Sequence, residues 1–288
     1  MMLIPLLLAL AAAPEKPAKP TAGQIAEAAP ASSWGAIAAE DLLVMDFADG
    51  QRVVIWLAPD FAPVHVANIR KIARSGFWST ATIYRVQDNY VTQWGGGEDK
   101  APPAGIVVQP PAEYEWVPKA AVRNPYKDAY AAVTGFTASG WAVAGDGKRQ
   151  WLPHCYGAVG VARDLAPSVG TGADLYTVIG HAPRHLDRNI AVVGRVIDGM
   201  GALSARPRGT GGGLGLYEDP KQFIPIKRIA IASDLPAAEQ PRFQYFKPSA
   251  KEFPKILEAR ANRGPPFFDV PSGAADLCNL PVPVRKVP

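Results

Sequence analysis

Arg85 sits in the middle of an alternating apolar run, "ATIYRV", and Gln93 follows shortly after, just ahead of "WGGG". A guanidinium stays charged and presents its donors in a rigid fork, and an amide oxygen is a natural holder for one arm of that fork. Such a pair does electrostatic chemistry: it can favour a lone pair or charge that develops only in a transition state. On the plain strand pattern Ile83, Arg85 and Gln87 share one face, and Tyr84 and Val86 share the other. Arg85 is then either a solvated charge or the polar exception on a working face. Competing constellations carry less. His154, Cys155, His181 and His185 could approach a metal, but "HAPRH" places Pro183 between its histidines and matches no recognised ligand spacing. "RGTGGGLGLYED" lacks the residue order of a phosphate loop and reads as a flexible loop before the last strand of the domain. No serine lies in a G-x-S-x-G turn, and neither cysteine carries a nucleophile signature. Trp94, Trp116, Trp141 and Trp151 could stack on sugars or peptides, though scattered tryptophans read more simply as core or rim packing. No cofactor and no metal is implied.

These residues need a scaffold, and the composition is that of a soluble globular chain with one main domain: 288 residues, 48% hydrophobic and 19% charged. The net charge of +4 is small and its basic residues are scattered, which gives no reason to expect nucleic acid as a partner. The opening "MMLIPLLLALAAAPEKPAKP" has an apolar run too short to span a bilayer and ends in small residues. It reads as a signal peptide over 1–14 and predicts an exported, periplasmic protein without stable membrane insertion. A Pro, Lys and Ala-rich stretch over 15–33 reads as a flexible linker, with order beginning near Trp34.

From there "DLLVMDF", "ADGQ" and "RVVIWL" predict a hairpin turning at Asp49-Gly50. "PDFAPVHVANIRKIARSGFW" predicts an amphipathic helix with Pro63 in its first turn and Gly76 at its end. Further short strands at "TIYRV", "YVTQW", "GAVGVA", "DLYTVI", "IAVVGRV" and "IPIKRIAIA" predict a mainly β domain over 34–233. It would be a closed antiparallel barrel of about eight strands capped by two α-helices. A long insertion at about 98–153 and an extension over 234–288 are additions to it. In the extension, "KEFPKILEARANR" predicts a short helix with Phe253, Ile256 and Leu257 on one face, packed as a clasp on the barrel. Cys155 and Cys278 read as two unpaired buried thiols, with a disulfide tying tail to body as the alternative in an oxidising compartment.

Four segments in order give the chain a family likeness. "PDFAPVHVANIRKIARSGFW", "IYRVQDNYVTQWGGG", "GAVGVARDLAPSVGTGADLYTVI" and "HLDRNIAVVGRVIDGM" resemble consecutive segments of cyclophilin-type peptidyl-prolyl cis/trans isomerases. The resemblance covers most of residues 41–233 and implies an exported bacterial member of that family. It implies that Arg85 is the catalytic arginine and Gln93 the glutamine that positions it. Tyr90, Val91, Tyr176 and Leu186 fall where the family lines and closes its proline pocket. Ala162, Arg163, Asp174 and Ile190 fall on the strip that meets the substrate backbone or on the pocket rim. The implied partners are proline-containing segments in unfolded or loop regions of other proteins, bound by a monomer.

Several positions depart from the family pattern. Asp174 stands where glutamine is usual, Arg163 where asparagine is usual, His185 where many members have tryptophan, and Ile190 where many have histidine. Asp174 places an acceptor-only group where a donor is expected. The alternative implied by these departures is a cyclophilin-like peptide-binding or chaperone module with little isomerase activity.

Overall fold

The structure, a computed structural model, describes residues 18–96 and 100–288. The signal peptide expected over 1–14 lies outside the described residues. Among the described residues fifteen strands follow one another: β1 (Trp34–Ala36), β2 (Leu42–Phe47), β3 (Arg52–Leu57), β4 (Thr82–Val86), β5 (Val91–Gly95), β6 (Ala121–Arg123), β7 (Val133–Thr137), β8 (Ala142–Gly145), β9 (Gln150–Trp151), β10 (Ala158–Val161), β11 (Asp174–Val178), β12 (Val192–Asp198), β13 (Ile224–Ile231), β14 (Arg242–Phe246) and β15 (Val284–Val287). Four α-helices accompany them among the described residues: α1 (Ala22–Glu27), α2 (Pro63–Arg74), α3 (Gly201–Ser204) and α4 (Phe253–Ala261).

Eight strands close into an antiparallel barrel in the order β10-β11-β5-β4-β13-β2-β3-β12. The predicted hairpin is β2 and β3, turning through Gly50 at φ +83°. Alternate residues of these strands face inward. Leu43, Met45, Val53 and Ile55 join Ile83, Trp94, Leu175 and Val193 in the central core, over which α2 lays Val66, Ile69 and Ile72. Proline begins α2 because its missing N–H would have no helical partner there, and Gly76 just past the helix takes φ +75°, which costs glycine nothing.

The apolar runs of β2 and β3 do not alternate with polar residues because their outer face is covered as well. Leu42, Val44, Val54 and Trp56 pack outward against Trp141 and Leu152 of the insertion and Phe243 of the extension. The insertion carries its own sheet, β6-β7-β8-β9, and the extension adds β14 and β15 to β1 in a third sheet. Between these two sheets lies another core, in which Phe136, Phe246, Phe253, Ile256 and Leu257 are buried. The expected helix is α4, but it is not a clasp on the barrel: it buries Phe253, Ile256, Leu257 and Ala261 in this core, against the added sheets. Arg195 of β12 runs under this covering layer, its guanidinium over the rings of Trp56 and Trp141 and bonded to the Val282 carbonyl. Burial between those rings pushes its pKa down to about 10.

Three further expectations change here. The linker expected over 15–33 contains α1, whose Thr21 hydroxyl and Gln24 side chain form a reciprocal capping box and whose Ala26 is buried against the tail core. The two cysteines are bonded, Cys155 to Cys278, across 123 residues of sequence. Local composition carried no sign of the pair because packing of the extension on the barrel is what brings them together. The glycine-rich stretch is an organised extra edge on β4 rather than a flexible loop: Val86 N–H donates to Gly215 O, Gly209 N–H to Val86 O, and Tyr217 N–H to Tyr84 O.

Candidate active site

The groove lies on the outer surface of the barrel, where β4, β5 and β11 run side by side. Gln93 pairs with Tyr176 across β5 and β11, and with Arg85 across β5 and β4. The β4–β5 ladder slips between Ile83 and Arg85, so Tyr84 is an extra residue opposite no partner. This bulge overturns the plain alternation. Ile83 and Val86 both point into the central core, and Tyr84 and Arg85 both point outward to the groove. A one-residue shift moves a side chain to the other face of a sheet, and here it is what lets a charge leave an apolar strand without entering the core.

The structure brings all ten sequence-predicted residues to one groove of about 470 Å³: Arg85, Tyr90, Val91, Gln93, Ala162, Arg163, Asp174, Tyr176, Leu186 and Ile190. Val91 and Tyr176 are buried in its floor, and Tyr90, Ala162, Leu186 and Ile190 pack half-buried around them. Arg163 donates to the Asn189 and Asp164 carbonyls, which holds it along the rim. The His185 ring stacks on Tyr90, with centroids 6.2 Å apart. Lys100, Pro102 and Val108 of the insertion form part of the wall and were not expected; nothing in their sequence points to the groove.

Arg85 is held on three sides. Its Nη1 donates to Gln93 Oε1 at 3.1 Å, its Nη2 to Gln87 Oε1 at 2.5 Å, and its Nε to the Leu214 carbonyl at 2.6 Å. The guanidinium carbon lies 5.8 Å from the Tyr90 ring centroid, so the charge is carried at the edge of the apolar floor. Sequence reasoning missed Gln87 and Leu214. Leu214 can reach Arg85 because Gly215, at φ +73°, brings the chain within 2.5 Å of Gln87 Cα for any added Cβ. The glycine run was the visible trace of this close approach.

Behind the floor runs a buried chain of polar groups. Tyr176 hydroxyl meets His154 Nε2 at 2.8 Å, and His154 Nδ1 meets Asp187 Oδ1 at 3.1 Å. Asp187 takes Arg184 Nε at 2.6 Å and the Trp151 indole N–H at 3.1 Å, and Arg184 reaches Asp128 Oδ2 at 3.1 Å. Asp128 Oδ2 also accepts the Leu277 N–H, next to the disulfide. Burial pushes Tyr176 well above the ordinary phenol value, so its hydroxyl keeps its hydrogen beside His154. Burial pushes Asp187 up, but hydrogen bonds from His154 and the charge of Arg184 outweigh it and leave the carboxyl below its usual range. The histidine once weighed as a metal ligand therefore has both ring nitrogens engaged, and Cys155 is in the disulfide.

The arrangement is thus an eight-stranded antiparallel barrel that bears an arginine, a glutamine and an apolar pocket on its outer face. Comparison with known proteins names its class. The family model of the cyclophilin type peptidyl-prolyl cis-trans isomerase matches residues 42–231, and the chain belongs to that family of isomerases. A Brucella suis biovar 1 (strain 1330) protein described as "Probable peptidyl-prolyl cis-trans isomerase" is 26% identical over 189 residues, 64% of this chain and 81% of its own. A Brucella abortus (strain 2308) protein of the same description matches over the same shares. The crystal structure of the cyclophilin AquaCyp293 from Hirschia baltica superposes with a TM-score of 0.68 at 25% identity, covering 88% of this chain and 93% of that one.

Proposed function

We propose that the groove isomerises X-Pro bonds in unfolded or loop segments of exported proteins, with Arg85 as the electrostatic catalyst and Gln93 as the group that holds it. The observation that carries this reading is the placement of Arg85, clamped by Gln93, Gln87 and the Leu214 carbonyl, at the edge of a floor made by Val91, Tyr176 and Leu186. Rotation about a peptide bond meets a barrier of ~18–20 kcal/mol because amide resonance is lost on twisting. No covalent bond breaks, so the reaction asks for shape and charge alone. The apolar floor takes the proline ring, with Tyr90 and Ile190 at its border. The guanidinium donates toward the prolyl nitrogen, whose lone pair localises only in the twisted state; that is a preference for the transition state over the ground state. Ala162 and Arg163 lie where the flanking peptide backbone would run. The apolar N-terminal run and the Cys155–Cys278 disulfide both support an oxidising, periplasmic site of action.

The test is the cis-to-trans rate of a short X-Pro peptide with wild-type protein and with Arg85→Ala, after both are shown to fold. A loss of at least ~100-fold, equivalent to ~2.7 kcal/mol of transition-state stabilisation, is expected. Equal rates in the two proteins, with peptide binding retained, would instead favour a binding module.

A further inference from the structure

A file of hydrogen bonds crosses β4, β5 and β11 in a single direction. Arg85 Nη1 donates to Gln93 Oε1, Gln93 Nε2 donates to the Tyr84 hydroxyl at 2.8 Å, and the Tyr84 hydroxyl donates to Asp174 Oδ1 at 3.1 Å. The direction is imposed from the Asp174 end. A carboxylate at neutral pH has no hydrogen to give, so the phenol must donate to it. A phenol has one hydrogen, so with that hydrogen committed its oxygen can only accept from Gln93. An amide that turns its NH2 to Tyr84 necessarily turns its oxygen the other way, to Arg85. If the phenol hydrogen pointed back at Gln93, the amide would present its own N–H groups to a guanidinium that has only donors. Tyr84 and Gln93 are both 7% exposed, so water has little room to repair a wrong orientation.

We infer that Tyr84 and Asp174 are positioning residues for Arg85, acting through the orientation of the Gln93 amide; this rests on the catalytic role proposed for Arg85. Asp174, which as a departure from the family pattern looked like a defect in substrate binding, acquires a use. A glutamine at that position could serve as donor or acceptor and would leave the direction open, whereas an aspartate fixes it. The bulge in β4 is part of the same device, because in plain alternation Tyr84 and Arg85 would face opposite sides of the sheet and could not belong to one file.

The experiment measures kcat and KM on a short X-Pro peptide for the wild type, Tyr84→Phe, Asp174→Ala and the double variant, each checked by circular dichroism and thermal melting. Phenylalanine keeps the ring that packs near Phe223 and removes only the hydroxyl. Tyr84→Phe is expected to lower kcat about tenfold with KM within about twofold, a split that reports lost transition-state stabilisation. The double variant is expected to have the kcat of the worse single variant, because both act through one amide. A second readout is nitrogen-15 relaxation of the Arg85 side chain, which should show a more mobile guanidinium in Tyr84→Phe than in wild type. A Tyr84→Phe kcat within twofold of wild type, multiplicative losses in the double variant, or an unchanged Arg85 mobility would each overturn the inference. A wild type inert toward the peptide whose Arg85 still loosens in Tyr84→Phe would sink the isomerase role and leave the positioning file standing.

Discussion

Replacing both cysteines by serine removes a crosslink whose size can be reasoned from connectivity alone. Cys155 and Cys278 close a loop of 123 residues. In the chain-entropy treatment a crosslink over that length restricts the unfolded chain by about 5 kcal/mol at 25 °C, and measured native disulfides in smaller domains cost about 2–5 kcal/mol to remove. The second range is the better guide here, because the extension is also held by the core around Phe246, Phe253 and Leu257 and by Arg195 on Val282. With a urea slope of about 3 kcal/mol per molar for a chain of this size, the double Cys→Ser variant should unfold at a midpoint roughly 1 M lower than wild type. The assay is urea unfolding followed by tryptophan fluorescence, run with and without a thiol reductant. Reductant should bring the wild type to the variant's midpoint and leave the variant unmoved, and a thiol titration of unfolded wild type should find no free thiol. Coincident midpoints for wild type and variant without reductant would refute the reasoning, since the extension would then be held by packing alone.

Two further outcomes follow from buried polar groups. Tyr176→Phe keeps the floor of the groove but leaves His154 Nε2 buried without its partner. An orphaned buried group costs about 1–3 kcal/mol, so thermal melting should move down by about 2–8 °C, and an unchanged melt would show that the bond contributes nothing. Glu113 reaches from the insertion to the first turn of α2, where it accepts Val64 N–H, His65 N–H and the His65 ring at 2.6 Å. Burial pushes its carboxyl up, but these bonds prevail and leave it below the usual value. A depressed carboxyl stabilises the fold above its unfolded value, near pH 4, and loses that contribution as pH falls through the lower folded value. Wild type should therefore lose more stability between neutral pH and about pH 3 than Glu113→Gln does, and parallel losses in the two proteins would count against this assignment.

The barrel was legible because its determinants are local: the Asp49-Gly50 turn, Pro63 and Gly76 at the ends of α2, and short apolar strands spaced by turns. The groove residues were legible through the order of four family-like segments rather than through periodicity, which would have left Arg85 on the same face as Ile83. A bulge at Tyr84 has no glycine or proline to announce it, and so the middle member of the Arg85–Gln93–Tyr84–Asp174 file stayed hidden. The α1 cap is Thr21-x-x-Gln24, a local signal outweighed in the sequence by the proline and lysine around it. Pairings that span the chain, such as Cys155 with Cys278 or Glu113 with the start of α2, depend on how the additions fold over the barrel and leave no mark on their neighbours in sequence.

The route from Tyr176 through His154, Asp187, Arg184 and Asp128 ends at Leu277, in the extension and far along the sequence from the groove it supports. Every strand of the barrel, through β13 at Ile231, precedes that residue in the sequence. The support behind the groove thus draws on residues that follow every barrel strand in the sequence, and the sulfur atom that fastens it comes later in the sequence than every residue lining the groove. Completion of the support behind the groove therefore depends on the extension folding back over the barrel, and not on the barrel alone.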